Sequence, residues 1–168
     1  EFVERMAREK VQAAVNKLSA GNVSTNQTSA TCSLIGKVVL GSDTVVVHQG
    51  IVMGKPADRA ESLAMLQRLS GDEHQVLTAV AVADREQIES VVVSTLVRFR
   101  ELPLSLCEQY WDSGEPRDKA GSYGIQGLGA VFVASIEGSY SSVVGLPLTE
   151  TAELLEKFNI AIWQQSTE

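Results

Sequence analysis

Residues 37–47 of the chain read KVVLGSDTVVV, two β-branched runs that flank Gly41, Ser42 and Asp43. The runs predict one buried strand with a functional break, or two successive strands. An Asp at the end of a buried strand is unfavourable unless it is paired, hydrogen-bonded or bound to a metal. Spacing alone leaves open a turn residue that bonds nearby amides and a catalytic carboxylate. Open α/β sheets bind ligands at strand ends, which favours the second interpretation.

The patterns on either side of this stretch predict an α/β fold. Helical spacing of apolar residues and strand-like alternation divide the chain into elements. The predicted helices cover residues 2–18, 58–69 (capped by Asp58), 103–111 and a last segment capped by Thr149, and the predicted strands cover residues 75–82, 88–99 and a hairpin of 131–136 with 140–144. Because helices and strands are mixed in order, we expect a mixed, twisted sheet flanked by helices, in a single domain over residues 1–168.

The composition is that of an ordinary soluble domain. Of 168 residues, 44% are hydrophobic and 21% are charged, and the formal net charge is -7. This acidic balance argues against a nucleic-acid-binding surface, which needs clustered Lys and Arg. No apolar run reaches the roughly 18 residues of a membrane span, and no signal peptide is visible. We therefore expect no DNA, RNA or membrane partner.

Cysteine and histidine spacings give no metal or disulfide pattern. Cys32 and Cys107 indicate free thiols in a reducing compartment. Neither His48 nor His74 has a second His or Cys at metal-ligand spacing, so we expect structural or surface roles for both.

Two lysines and a glycine-rich stretch are candidates for phosphate binding. Lys10 lies near the polar-apolar border of the first predicted helix, and Lys55 lies in a Gly-Lys-Pro turn. Each alone also fits a solvated surface lysine. Residues 118–129 (DKAGSYGIQGLG) form a loop whose N–H groups could approach an anion closely, or a loop that needs positive φ for packing. Two lysines converging with Asp43 would form a polyphosphate and metal site.

Taken in order, these motifs resemble those of the Maf family. The matching segments are Arg8-Glu9-Lys10, Gly41-Ser42-Asp43-Thr44, Gly54-Lys55-Pro56, Ser70-Gly71 with His74 and Thr78, residues 118–127, and Val144-Gly145-Leu146-Pro147. The resemblance runs from residue 1 to about residue 158. It implies a fold like that of the inosine triphosphatase group and a nucleoside triphosphate pyrophosphatase that uses a divalent metal, Mg²⁺ or Mn²⁺. It also implies a cytoplasmic protein and a link to septum formation and cell-division arrest.

The resemblance implies roles for individual residues. Asp43 matches the family's catalytic carboxylate, which we also expect to contact the metal. Lys10 and Lys55 match its phosphate-contacting lysines. We assign Lys119, at the start of the glycine-rich motif, to substrate binding as well.

Two further positions distinguish subgroups of the family. In the subgroup directed at dTTP and UTP, Thr follows the catalytic Asp and Gln lies within the glycine-rich motif. In the subgroup directed at 7-methylguanosine triphosphate, Gln and Glu are expected at these places. Here the residues are Thr44 and Gln126, so we expect a dTTP/UTP pyrophosphatase with both residues binding the substrate.

Two features differ from the family pattern. Family members begin with a strand and a Ser-x-Ser-Pro-Arg-Arg loop, which this sequence does not contain, so we expect that N-terminal residues are missing. Residues 19–33 are polar and predict a flexible loop, longer than is usual in the family. A 7-methyl-GTP pyrophosphatase, a non-catalytic nucleotide-binding regulator of cell division and an inactive truncated form therefore stay open as alternatives, as does a homodimer.

Overall fold

The computed structural model of the chain describes residues 1–19, 33–35 and 38–163. Its helices are α1 (Phe2–Ser19), α2 (Arg59–Leu69), α3 (Leu104–Asp112), α4 (Tyr140–Val144) and α5 (Leu148–Lys157). Its strands are β1 (Ser33–Ile35), β2 (Val38–His48), β3 (Ile51–Met53), β4 (Glu73–Ala83), β5 (Ile88–Phe99) and β6 (Val133–Glu137). Short 3-10 turns cover Glu115–Asp118, Ala120–Ser122 and Leu128–Phe132. The loop predicted over residues 19–33 falls almost wholly outside the described residues, as does Cys32.

The described strands form one six-stranded sheet in the order β1-β2-β4-β5-β6, with β3 paired to β2. Strand β2 pairs antiparallel with β1 and β3, and β5 pairs antiparallel with β6. The predicted α/β fold, with a sheet flanked by helices, is confirmed. Residues 38–47 belong to one continuous strand. A Cβ at Gly41 would lie only 2.8 Å from Cγ1 of Val11, so the glycine gives α1 room to pack on that strand.

The chain divides into two compact units, and the division falls within strands β2, β4 and β5. The first unit comprises Glu1–Asp43, Thr78–Val92 and Leu146–Glu168, and the second comprises Thr44–Leu77 and Val93–Gly145. The first unit has a core of Val80 and Val82 from β4 with Leu154 from α5 and Phe158, which directly follows that helix. The buried face of α1 consists of Val3, Ala7, Val11 and Val15.

The core of the second unit contains a cluster of aromatic rings. The ring of Phe99 lies 4.7 Å from that of Tyr123 and 5.9 Å from that of Phe132, both edge to face. The ring of Tyr110 lies 4.8 Å from Phe132. Such pairs contribute about 0.5–1.5 kcal/mol beyond their burial. They attach the glycine-rich segment, which carries Tyr123, to strand β5 and helix α3.

Helix boundaries follow local capping chemistry, and this confirms one prediction and corrects two. Asp58 caps α2, because its Oδ1 accepts from the N–H of Glu61 at 2.9 Å. The predicted hairpin is wrong: residues 140–144 form helix α4, because the Ser139 hydroxyl accepts from the N–H of Ser142 and starts a helical turn. The prediction that Thr149 caps the last helix is also wrong, since α5 already begins at Leu148, after Pro147.

Candidate functional site

In the first unit, helix α1 and strand β2 bring Lys10 and Asp43 into contact. The Nζ of Lys10 donates to Oδ1 of Asp43 and, at 3.2 Å, to the backbone carbonyl of Ser42. The two side chains are 35% and 20% exposed, respectively. The contact is a charge-assisted hydrogen bond at the surface of the unit, and a ligand from solvent could compete for either partner.

A hydrogen-bonded chain attaches α1 to strand β5 within the same unit. Nη1 of Arg8 donates to the Ser90 hydroxyl at 2.9 Å, and that hydroxyl donates to Oε1 of Glu4 at 2.9 Å. Because Glu4 and Arg8 are one helical turn apart, Ser90 restrains the rotation and position of the helix. The same restraint holds the part of the helix that carries Lys10, two residues after Arg8.

In the second unit, Lys119 contacts the carboxylate of Asp118, and the charge of Lys55 also acts on that carboxylate. Nζ of Lys119 lies 2.7 Å from Oδ1 of Asp118. This hydrogen bond, with a smaller contribution from the charge of Lys55, lowers the pKa of Asp118 below its ordinary value. The turn that carries Lys55 is attached to the glycine-rich segment, because the N–H of Gly121 donates to the carbonyl of Gly54 at 3.0 Å.

The glycine-rich segment folds around the carboxylate of Glu115. Oε2 accepts from the N–H of Leu128 at 2.8 Å, and Oε1 accepts from the N–H of Gly129 at 3.1 Å and from the hydroxyl of Tyr110 at 2.8 Å. The Tyr110 oxygen also accepts from the N–H of Gly124 at 3.0 Å. Burial opposes ionisation of Glu115, but these hydrogen bonds outweigh it and hold its pKa below the ordinary value.

The two residues expected to contact the base also belong to the second unit. Gln126 is exposed and directly follows the buried Ile125, and its side chain makes no hydrogen bond among the residues that the structure describes. Thr44 is half-buried on β2, and a Cβ at Gly145 would lie 3.6 Å from its Oγ1. The Gln126 amide is therefore open to a ligand.

Both histidines lie in buried, hydrogen-bonded positions of the second unit, consistent with structural roles. Nε2 of His48 lies 2.9 Å from Oδ2 of Asp72, and Nε2 of His74 lies 2.8 Å from the hydroxyl of Tyr123. Burial, reinforced by the nearby charge of His48, lowers the pKa of His74 to about 4. His74 is therefore neutral at physiological pH and supports the glycine-rich segment through Tyr123.

Sequence reasoning did not single out Tyr110 and Glu115, which organise the glycine-rich segment. Tyr110 lies in a helical pattern typical of a core residue, and Glu115 lies among several other charged residues. The sequence feature that could have identified Glu115 is its place directly before Pro116, ahead of a glycine-rich segment with many backbone N–H donors.

The structure brings together two subsets of the predicted site residues, each within one unit. Lys10 contacts Asp43, and Lys119 contacts Asp118 with Lys55 nearby. Among the described residues, no group of three or more His, Cys, Asp and Glu side chains could hold a metal ion by itself. No helix in the described part of the chain is both long and apolar enough to cross a membrane.

Known proteins are similar to this chain in sequence along most of its length. The sequence profile of the family described as Maf-like protein matches residues 1–158. The chain is 48% identical over 163 residues to the dTTP/UTP pyrophosphatase of Hahella chejuensis. These residues make up 97% of this chain and 75% of the relative. It is 47% identical over 160 residues to the dTTP/UTP pyrophosphatase of Pseudoalteromonas atlantica, covering 95% and 77%. It is 49% identical over 158 residues to that of Vibrio vulnificus, covering 94% and 77%.

Proposed function

The chain belongs to the Maf family, and we propose that it hydrolyses dTTP and UTP to the nucleoside monophosphate and pyrophosphate. The observation that carries the proposal is the 47–49% identity, over 94–97% of the chain, to relatives named dTTP/UTP pyrophosphatase. Thr44 and Gln126, the residues expected at the subgroup positions, agree with it.

Asp43 is the catalytic carboxylate of this proposal. Attack of water on the α-phosphorus breaks the bond to the β-phosphate and releases pyrophosphate, and the attacking water must give up a proton. The Asp43 carboxylate is a suitable acceptor for it, or a ligand for a divalent metal. Lys10 lies against the same carboxylate, so its ammonium is available to stabilise the negative charge that develops on the phosphate oxygens.

A divalent metal is implied by the family resemblance, and the residues present fit such an ion. Mg²⁺ usually takes one or two protein carboxylates and obtains its other ligands from water and substrate phosphates. Asp43, with 20% of its side chain exposed, offers one such carboxylate. A bound metal would supply charge neutralisation for the triphosphate. We propose Mg²⁺ or Mn²⁺ at Asp43.

We also assign residues of the second unit to the phosphates and the base. Lys119 contacts Asp118, and the charge of the exposed Lys55 also acts on that carboxylate. We assign both cations to phosphate oxygens, because a triphosphate could replace Asp118 as their partner. We assign Gln126 and Thr44 to the base. The amide of Gln126 can donate to O4 of uracil or thymine and accept from N3–H.

The proposal also covers the cellular compartment and the partner of the enzyme. We propose a cytoplasmic enzyme whose partner is the nucleoside triphosphate itself. The formal net charge of -7 supports the absence of a nucleic-acid partner.

A pyrophosphate-release assay tests the proposal. The purified chain is incubated with Mg²⁺ or Mn²⁺ and with UTP, dTTP, CTP, GTP or 7-methyl-GTP in turn. We expect release to be fastest with UTP and dTTP. Preference for 7-methyl-GTP would reassign the chain to the other subgroup. Triphosphate binding without any release would support a non-catalytic regulator instead.

A further inference from the structure

We propose that Glu115 is a positioning residue for base selection, which holds the segment from Gly124 to Gly129 so that Gln126 meets the base at a fixed place. The inference rests on the proposed function, because it concerns the same base-binding segment. Glu115 itself acts through Gln126 and need not touch the substrate.

The hydrogen bonds of Glu115 hold the segment on both sides of Gln126. Leu128 and Gly129, on the C-terminal side, donate their N–H groups directly to the carboxylate. Gly124, on the N-terminal side, donates to the Tyr110 hydroxyl, which donates in turn to Glu115. The segment therefore closes around one half-buried anchor, with Gln126 exposed between the two attachment points.

The carboxylate lies directly against the backbone of this turn. A Cβ at Gly127 would be 2.2 Å from Oε2 of Glu115, so a side chain fits there only if the carboxylate leaves its place. Gly127 closes the turn, since its N–H donates to the carbonyl of Gly124 at 3.5 Å. The position of Gln126 is thus determined by the position of the Glu115 carboxylate.

Position is the property that base selection needs here. Uracil presents O4 beside N3–H, and guanine presents O6 beside N1–H, so one amide matches both hydrogen-bonding patterns. The two edges differ in their distance from the sugar. Gln126 discriminates between them only if its backbone is held at the distance that suits a pyrimidine. Its side chain has no bond of its own among the described residues to set that distance.

The anchor must be a carboxylate, because every group that faces it is a donor. In Glu115→Gln the new NH₂ group would face the N–H of Leu128 in one amide orientation and that of Gly129 in the other. In either orientation two donors face each other, and the segment loses at least one of its hydrogen bonds on the C-terminal side. Tyr110→Phe releases the other side, because it removes the hydroxyl that joins Gly124 to Glu115.

The test compares the kcat/KM ratio of UTP to GTP in the wild type, Glu115→Gln and Tyr110→Phe, with Glu108→Gln as control. Glu108 is a carboxylate on the same helix as Tyr110, in an exposed ion pair with Arg59. We expect Glu115→Gln to lower the ratio by about tenfold, Tyr110→Phe to lower it in the same direction, and Glu108→Gln to leave it unchanged. If Glu115→Gln does not fold, Tyr110→Phe carries the test.

Combination with Gln126→Ala separates positioning from general damage. If Glu115 acts through Gln126, then adding Glu115→Gln to Gln126→Ala changes the UTP:GTP ratio no further, although it still lowers the melting temperature. A ratio that is unchanged in the single variants, or that falls further in the double variant, would overturn the inference alone. A wild type that releases no pyrophosphate from UTP or dTTP would instead overturn the proposed function, and this inference with it.

Discussion

Nζ of Lys10 on helix α1 donates to the carboxylate of Asp43 on strand β2, joining residues that are 33 positions apart in the chain. Lys10 is a cation and Asp43 is an anion, and both side chains remain partly exposed. Such a pair at a surface contributes at most about 1 kcal/mol to folding. Substitutions here should therefore affect chemistry much more than stability.

Asp43→Asn keeps the size of the side chain and removes its charge. The amide oxygen can still accept from Lys10, so the fold should persist, but the group can neither take a proton nor bind a cation well. We expect kcat for pyrophosphate release from UTP to fall by about 10²-fold or more. Glu9 is an exposed carboxylate next to Lys10 in the sequence. Glu9→Gln is therefore the control and should keep full activity. Near-normal turnover in Asp43→Asn would rule out the catalytic assignment.

Lys10→Ala and Lys55→Ala should weaken hydrolysis of UTP while leaving the melting temperature within a few degrees of the wild type. The reason is that the proposed partner of each cation is the triphosphate. Lys157→Ala removes an exposed lysine that pairs with Glu89 and serves as the matched control. A sharp fall in melting temperature with full turnover per folded molecule would show that the lysines are structural.

Gln126→Glu should change base preference. The variant keeps the shape of the side chain but replaces the NH₂ donor with a second acceptor, so O4 of uracil or thymine loses its partner. The donor-rich edge of guanine is better matched to a carboxylate. We expect kcat/KM for UTP and dTTP to fall by at least about tenfold, or ~1.4 kcal/mol, and that for GTP to fall less or to rise. An equal loss for all bases would show that Gln126 acts on the phosphates or the loop shape.

Gly121→Ala should destabilise the protein. Gly121 has φ 67°, and a Cβ there would lie 2.8 Å from Cγ2 of Val46 on β2. Strain in the left-handed region and overpacking together should cost about 2 kcal/mol or more. Gly54→Ala is the control, because a Cβ at Gly54 meets nothing within 4 Å. Urea unfolding measures both, and equal stabilities of the two variants would contradict the expectation.

His74 should make the protein less stable as the pH falls. Burial lowers its pKa to about 4 in the fold from 6.5 in the unfolded chain, so between these values the unfolded chain binds more protons. Stability is therefore fully present above pH 6.5 and is lost as the pH falls towards 4. From pH 7 to pH 5 we expect a loss of about 2 kcal/mol from this group. Urea unfolding of His74→Gln should show a flatter dependence over that range, and an unchanged slope would remove His74 as the cause.

The sequence by itself determined the α/β class, the limits of α2 and β5, the presence of β4 and the set of motif residues. These features depend on local chemistry: the apolar period, the Asp58 cap and the order of short motifs along the chain. The family could also be identified from the sequence, because the glycine-rich motif and the segment around Asp43 are each an unbroken stretch of residues. The roles of Asp43 and of the substrate-binding residues remain predictions.

Only the tertiary structure decided which of these residues meet. Nothing local indicates that Lys10 reaches Asp43, or that Glu115 accepts from Leu128 and Gly129, because both contacts depend on how distant segments pack. Residues 140–144 show the same limit. Their sequence predicts a strand, but the Ser139 cap starts a helix there. A hydrogen-bonding group takes whichever partner the folded chain brings within about 3 Å. Its partner is therefore a property of the packed molecule and not of the segment that carries it.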